Sequence, residues 1–344
     1  MRNGLLAVFA ALLLGACATS PDPRASVGES WSARQQAALA EAMLVPVPTA
    51  YEIRYFDWVD GDRQREVQAK LYLPPPTAGG TPAPLIVFSH GLGGSREGYS
   101  YLGSNWAARG YASLHVQHAG SDNRLWRGSP FEIVSRLQSA ATEAEALDRV
   151  RDLRFALDRV FAAPELAGAL DPGRIVAAGH SYGANTVLLA AGAVFQRPSG
   201  RMSYAEPRLA GAIVISAPPF HGEADAEAVV ASIGIPTLHI TATGDEIRLP
   251  GYQSGVEDRV RVFAATGSPR KALVVFRDGA HSMFTDRLAP GGRDLNVQVK
   301  GATLDLTLAF LDEVVRGSAG AFGERSAGHD AVITRLESTI GDAR

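Results

Sequence analysis

The 344 residues contain a single cysteine, Cys17, which excludes an intramolecular disulfide framework and a thiolate metal cage. Charge of one sign is also missing. Lys and Arg number 33 against 36 Asp and Glu, a formal net charge of −3, so no global field draws nucleic acid or an anionic membrane surface. No apolar run reaches the roughly 20 residues that a spanning helix needs. A glycine-rich phosphate loop or dinucleotide fingerprint in strand-to-helix context is lacking, and so is an internal repeat of about 20 to 50 residues. What is present, 46% hydrophobic and 20% charged residues, is the composition of a folded globular chain.

The lone cysteine is informative through its position. After Met1-Arg2-Asn3 the chain is uncharged from Gly4 to Ser20, with an apolar stretch from Leu5 to Leu14 of the length of a secretory h-region. That stretch ends in Leu14-Gly15-Ala16-Cys17, which resembles a bacterial lipoprotein box. The resemblance implies a signal peptide over residues 1–16, lipidation of Cys17, export, and anchoring in the cell envelope. Ala18, standing where an aspartate would signal inner-membrane retention, leans towards the outer membrane. Residues 17–48 carry Ser20-Pro21-Asp22-Pro23, an Ala/Gln-rich piece from Ala33 to Leu44, and Val45-Pro46-Val47-Pro48. They predict a tether with a short helix.

Residues 49–316 predict one α/β domain. Tyr51–Trp58 and Val67–Leu73 are β-rich and flank Asp60-Gly61-Asp62, a hairpin signal. Apolar runs then recur at Pro84–Ser89, Ala112–Val116, Arg174–Ala178, Ala212–Ile215, Thr237–Thr241 and Ala272–Phe276, as in strands buried on both faces. Helix-like segments alternate with them: Tyr99–Arg109, Phe131–Phe161, Ala184–Phe195 and Asn296–Val315. The alternation predicts a doubly wound, mostly parallel sheet extended by the N-terminal β-hairpin, with chemistry in the loops at the carboxyl ends of the strands. Alternating charges over Asp148–Arg159 predict a solvated helix face. In residues 317–344, Val332, Ile333, Leu336 and Ile340 lie at helical spacing and predict a packed terminal helix.

Gly179-His180-Ser181-Tyr182-Gly183 fits the G-x-S-x-G nucleophile elbow and lies between an apolar strand and an apolar helix, the setting that motif requires. A serine hydroxyl is a poor nucleophile at neutral pH and needs a base, itself oriented by a third group. The chain order Ser, acid, His selects His281 as base, just past the last apolar strand, with His329 in the tail as the weaker option. Asp245, beyond the Thr237–Thr241 strand, is the candidate acid and Glu246 its competitor. Ser89-His90-Gly91-Leu92-Gly93-Gly94 follows the first buried strand and is placed to supply an oxyanion-hole amide. Tyr182 and Leu92 are the candidate donors, with Gly93 as alternative; His90 and His180 are expected to hold loops. His115-x-x-His118 is the rival metal motif, but residues three apart on a strand point to opposite faces, and neither metal nor cofactor is expected. Trp126 within Ser121–Pro130, and the segment Glu246–Arg270, are candidate lids; Tyr99, Tyr101, Phe220, Met283 and Phe284 are candidate lining residues.

With these motifs in hand, residues 50 to 316 resemble an α/β-hydrolase. Phe88-Ser89-His90-Gly91-Leu92-Gly93-Gly94-Ser95 followed by Asn105-Trp106-Ala107-Ala108-Arg109-Gly110-Tyr111 is similar to the group of platelet-activating-factor acetylhydrolases and predicted dienelactone hydrolases. The resemblance implies a serine esterase acting on a small or lipid-like ester, without a cofactor. A binding or scaffolding module built on the same fold is the alternative.

Overall fold

The computed structural model describes residues 51–76, 80–198, 200–220, 225–249 and 252–341. The signal segment, the tether and Cys17 lie outside them. Nine strands form one sheet: β1 (Glu52–Asp60), β2 (Arg65–Leu73), β3 (Ala83–Ser89), β4 (Ala112–His118), β5 (Leu170–His180), β6 (Leu209–Ile215), β7 (Thr237–Gly244), β8 (Lys271–Ala280) and β9 (Ile333–Ser338). Their spatial order is β1-β2-β4-β3-β5-β6-β7-β8-β9. The expected hairpin is present, β1 pairing antiparallel with β2 and β2 with β4. From β4 through β8 the pairing is parallel.

Successive residues of a strand face opposite sides, and each side of this sheet is covered by helices. Leu85, Val87, Ile175 and Ala177 pack with Leu147, Val150, Leu153 and Leu157 of α3 (Glu143–Ala162) and with Val187 and Leu188 of α4 (Tyr182–Ala190). Ile86, Phe88, Val176 and Ala178 pack on the other side with Leu102 and Trp106 of α1 (Ser100–Ala108) and with Val299, Leu306 and Phe310 of α6 (Gly292–Val315). Double coverage is why these strands read as unbroken apolar runs rather than as alternation. A further helix, α5 (Val256–Ala265), packs Phe263 against Leu273 and Val275 of β8. Among the described residues no helix is long and apolar enough to cross a membrane.

Four expectations are corrected. The single helix over Phe131–Phe161 is two, α2 (Pro130–Ala140) and α3, because Thr142 turns extended and its hydroxyl accepts the Glu145 amide as an N-cap. The helix expected over Ala184–Phe195 ends at Ala190, where Gly192 takes φ 116°, and Val194–Arg197 pairs with Gly200–Ser203 as a hairpin. Charged residues of Asp148–Arg159 do not all face solvent: Arg149 and Asp152 are fully buried. Lastly, the tail is a short helix, Ala321–Ser326, followed by β9, which pairs antiparallel with β8 at the sheet edge. Val332 and Ile340 plug into the core at either end while Leu336 between them is exposed, so their spacing mimics a helix without one. Charged Arg335 and Glu337 line this edge, which discourages pairing with another chain.

Candidate active site

The elbow is built by strand-to-helix geometry that tolerates no side chain at two positions. Ser181 sits between β5 and α4 at φ 56°, ψ −122°, and its amide donates to Ile215 O at 2.9 Å. A Cβ on Gly179 would lie 2.4 Å from Gly183 O, and one on Gly183 would lie 1.9 Å from Ser89 O. Both residues must therefore be glycine for the strand, the turn and the end of β3 to meet.

Strands β7 and β8 deliver the other two groups. His281 follows β8 directly, with Nε2 2.9 Å from Ser181 Oγ and Nδ1 2.7 Å from Asp245 Oδ1. This arrangement places the imidazole proton on Nδ1 and leaves Nε2 to accept from the serine. Asp245, just past β7, is fully buried, whereas Glu246 points outward into an ion pair with Arg248. The choice between the two carboxylates is thereby made by orientation. His329 pairs instead with Asp305 at 3.0 Å, away from this site. Burial pushes the Asp245 carboxyl up, but the hydrogen bond and charge of His281, the charge of Arg259 and the Ser216 hydroxyl outweigh it. The net result is a carboxyl held well below the usual range.

Three partners of Asp245 have no motif in the sequence. Ser216, at φ 58° just past β6, donates to Asp245 Oδ2 and sits 2.8 Å from His281 Nδ1. Thr241 Oγ1 donates to the same Oδ2 at 2.7 Å, and buried Arg259 of α5 brings Nη2 to 3.4 Å from Oδ1. Ser216 and Thr241 leave one trace in the sequence, a small polar residue at or near a strand's carboxyl end, whereas Arg259, within a charged helix, leaves none.

Leu92 and Tyr182 lie on the two segments that meet at Gly183. Among the described residues neither amide has a hydrogen-bond acceptor, while the Gly93 amide, the alternative donor, is taken by Ser121 O at 2.9 Å. His90 holds its own loop, Nδ1 bonding Gly91 O at 2.7 Å and Nε2 accepting the His118 amide at 3.2 Å. His180 braces the elbow from behind, between Tyr99 Oη at 2.8 Å and His281 O at 3.0 Å. Burial, followed by the charge of His281, holds its ring neutral with a pKa of about 3.

His115 and His118 do point to opposite faces: His115 stacks on Phe88, while His118 bonds Ser89 Oγ at 2.9 Å and Asp152 Oδ2 at 3.1 Å. Trp126 lies over the Leu92 loop, its Nε1 donating to Gly93 O at 3.1 Å while the side chain stays 42% exposed. The proposed lining residues Tyr101, Met283 and Phe284 are instead fully buried in the core beneath the site, and Phe220 packs edge-on against Phe195.

A family model described as "Platelet-activating factor acetylhydrolase, isoform II" matches residues 51–124, the stretch from β1 through the Leu92 loop to β4 and just beyond. Platelet-activating factor acetylhydrolases of Cavia porcellus and Canis lupus familiaris are 29% identical over 142 residues and 30% identical over 147 residues, in each case 33% of this chain and 33% of the relative. The chain thus matches about a third of the length of these curated relatives. Among solved structures, a ferulic acid esterase from Streptomyces cinnamoneus superposes with a TM-score of 0.60 at 22% identity, covering 85% of this chain and 99% of its own. A Pyrococcus horikoshii acylaminoacyl peptidase gives 0.55 at 16% identity over 78% of this chain and 42% of its own. Sheet order, elbow and structural neighbours agree: the chain has the α/β-hydrolase fold, and its first strands and Leu92 loop are similar to the platelet-activating-factor acetylhydrolase isoform II family.

Proposed function

We propose that the protein is a serine hydrolase that cleaves carboxylic esters, small or lipid-like, through an acyl-enzyme. The observation that carries this reading is the continuous relay from Ser181 Oγ to His281 Nε2 at 2.9 Å and from His281 Nδ1 to Asp245 at 2.7 Å. In this reading His281 takes the Ser181 proton as Oγ attacks the carbonyl carbon. The Leu92 and Tyr182 amides receive the oxyanion, and Asp245 orients the ring and stabilises the imidazolium. Collapse of the tetrahedral species expels the alcohol, which takes its proton from His281. Water, deprotonated by the same histidine, then releases the acid. Ester rather than amide cleavage is favoured by the resemblance of residues 51–124 to the acetylhydrolases.

The test is a panel of p-nitrophenyl esters and anilides of increasing acyl length, run on the native protein and on Ser181→Ala. Ester turnover abolished by the substitution is expected. Turnover that survives it removes Ser181 as nucleophile, and inactivity on every substrate favours a binding module. We further propose that the chain is exported and tethered to the cell envelope through a lipid on Cys17, supported by the Leu14-Gly15-Ala16-Cys17 sequence, and that it lies in the outer membrane, supported by Ala18 in place of an aspartate. Radiolabelled palmitate should enter the wild-type chain and not Cys17→Ser.

A further inference from the structure

We propose that Arg149 is a positioning residue for the oxyanion hole, fixing the separation between the Leu92 and Tyr182 amides; the inference rests on the hydrolase reading above. Those amides belong to different segments, the loop after β3 and the elbow before α4, so their spacing depends on whatever ties the segments together. Arg149, on α3, is fully buried and bonds to both. Its Nη2 donates to Ser89 Oγ at 3.1 Å and to His90 O, on the Leu92 side. Nε donates to Thr186 Oγ1 at 2.9 Å, and the guanidinium carbon lies 4.5 Å from the centre of the Tyr182 ring, on the elbow side. Nη1 donates to Ser121 Oγ at 2.7 Å, and the carbonyl of that same Ser121 accepts the Gly93 amide. The Leu92 loop is thus gripped at both ends, through His90 and through Gly93.

A second feature separates this arginine from an ordinary core ion pair. Among the described residues it has no carboxylate within 4.0 Å; Glu145 reaches it only through Ser121, which donates to Glu145 Oε1 at 2.8 Å. A buried charge without a direct counter-ion is a poor way to gain stability, since apolar side chains of similar volume often do as well or better. Its planar fork, however, can hold several acceptors on separate segments in fixed relative positions, which a lysine's single ammonium cannot.

The experiment compares wild type, Arg149→Lys, Thr186→Val and Ser121→Ala for ester kinetics, for inhibition by a trifluoromethyl ketone that forms a tetrahedral adduct with Ser181, and for Tm. Displacing an oxyanion donor by about 1 Å should lower kcat roughly 100-fold in Arg149→Lys with KM within about twofold. The ketone's Ki should rise in proportion to the loss of kcat/KM. Thr186→Val and Ser121→Ala, which keep the arginine and remove one partner each, should lose about tenfold in the same pattern; they carry the test should Arg149→Lys fail to fold. A lowered Tm with kcat/KM and ketone affinity unchanged in the folded variants would overturn the proposal and leave the hydrolase reading intact. A wild-type protein without Ser181-dependent ester turnover would overturn both.

Discussion

Replacing Gly183 by alanine perturbs the site by an amount set by how closely the elbow packs on the end of β3. The added Cβ would lie 1.9 Å from Ser89 O, 2.6 Å from Ser89 C and 2.7 Å from His90 O. All three are backbone atoms, so no change of rotamer relieves the overlap. Separations under 3.0 Å are essentially never seen for real Cβ atoms, so the elbow and the end of β3 must part by about 1.1 Å, the difference between 3.0 and 1.9 Å. Tyr182 precedes Gly183 and Leu92 follows Ser89 by three residues, so the same movement spreads the two amides proposed to receive the oxyanion. A misplacement of about 1 Å costs on the order of 100-fold in rate, and overpacking of this kind costs about 1–3 kcal/mol. With roughly 2–4 °C lost per kcal/mol in a domain of this size, Tm should fall by about 2–12 °C. Gly301→Ala, in the middle of α6, is the control, because a Cβ added there would meet no heavy atom within 4 Å. It should keep full activity and gain about 0.5–1 kcal/mol. The assay is kcat/KM on a p-nitrophenyl ester with calorimetric Tm. Wild-type values of both in Gly183→Ala would refute the claim that backbone contact at this glycine sets the geometry.

Ser216→Ala removes a donor to the buried Asp245 carboxylate. At about 1.5–3 kcal/mol for a hydrogen bond to a charged group, it should cost at least roughly tenfold in kcat/KM, and an unaffected variant would show Ser216 to be a bystander. Asp245→Asn should lower kcat by about 10⁴ through the wrong imidazole tautomer. Because the native carboxyl is held below its usual range, its stabilisation is present above about pH 4 and lost on acidification. Acid-unfolding curves should therefore be shallower below about pH 4 in the variant, and superimposable curves would contradict this. Buried His239 has its pKa lowered to about 3 by burial and then by the charge of Lys271. It stays neutral when folded, while the unfolded chain takes up a proton below about pH 6.5, so stability falls with falling pH. His239→Leu should reduce that slope between pH 6 and 4 by about 1.4 kcal/mol per pH unit in urea titrations, and an unchanged slope would count against it.

The parts of the site that could be read in the sequence are those encoded locally. An apolar strand, a Gly-x-Ser-x-Gly turn and an apolar helix in succession specify the elbow without reference to anything distant, and a chain-order rule then leads to Asp245 and His281. Orientation at a turn is a different matter. Asp245 and Glu246 are adjacent and chemically alike, and only the hydroxyls of Thr241 in β7 and of Ser216 just past β6, both donating to Asp245 Oδ2, bring one of them inward. Arg149 was hidden for another reason: its neighbours along α3, Asp148 and Arg151, do form a surface i,i+3 pair at 3.1 Å, so the local pattern of charge is that of a solvated face. The partners that bury it come from β3, the Ser121 loop and α4. The tail misled in the opposite direction, since two core-plugging residues at the ends of an edge strand reproduce a helical interval.

The non-glycine residues with positive φ show how the fold concentrates strain around the candidate site. Five occur among the described residues: Gln64, Tyr99, Ser181, Ser216 and Asp278. Gln64 belongs to the β1–β2 turn, but the other four surround the site. Each such conformation costs on the order of 1–3 kcal/mol and persists only where the surroundings over-determine it. The restraints are visible. Ser181 N donates to Ile215 O at 2.9 Å and Ser216 N to Ile240 O at 2.7 Å. Asp278 N donates to Thr243 Oγ1 at 2.8 Å, and Tyr99 Oη is bonded to His180 at 2.8 Å. In three of these four cases the restraint comes from the next strand in the sheet or its carboxyl end, β6 holding Ser181, β7 holding Ser216 and β7 again holding Asp278. The parallel sheet therefore does more than support the loops: its register clamps, one strand to the next, the turns that carry the hydroxyl, the carboxylate's partner and the approach to the imidazole. Loss of that register should loosen all three together, which is why the reactive groups can lie 36 to 100 residues apart and still meet at hydrogen-bond distance.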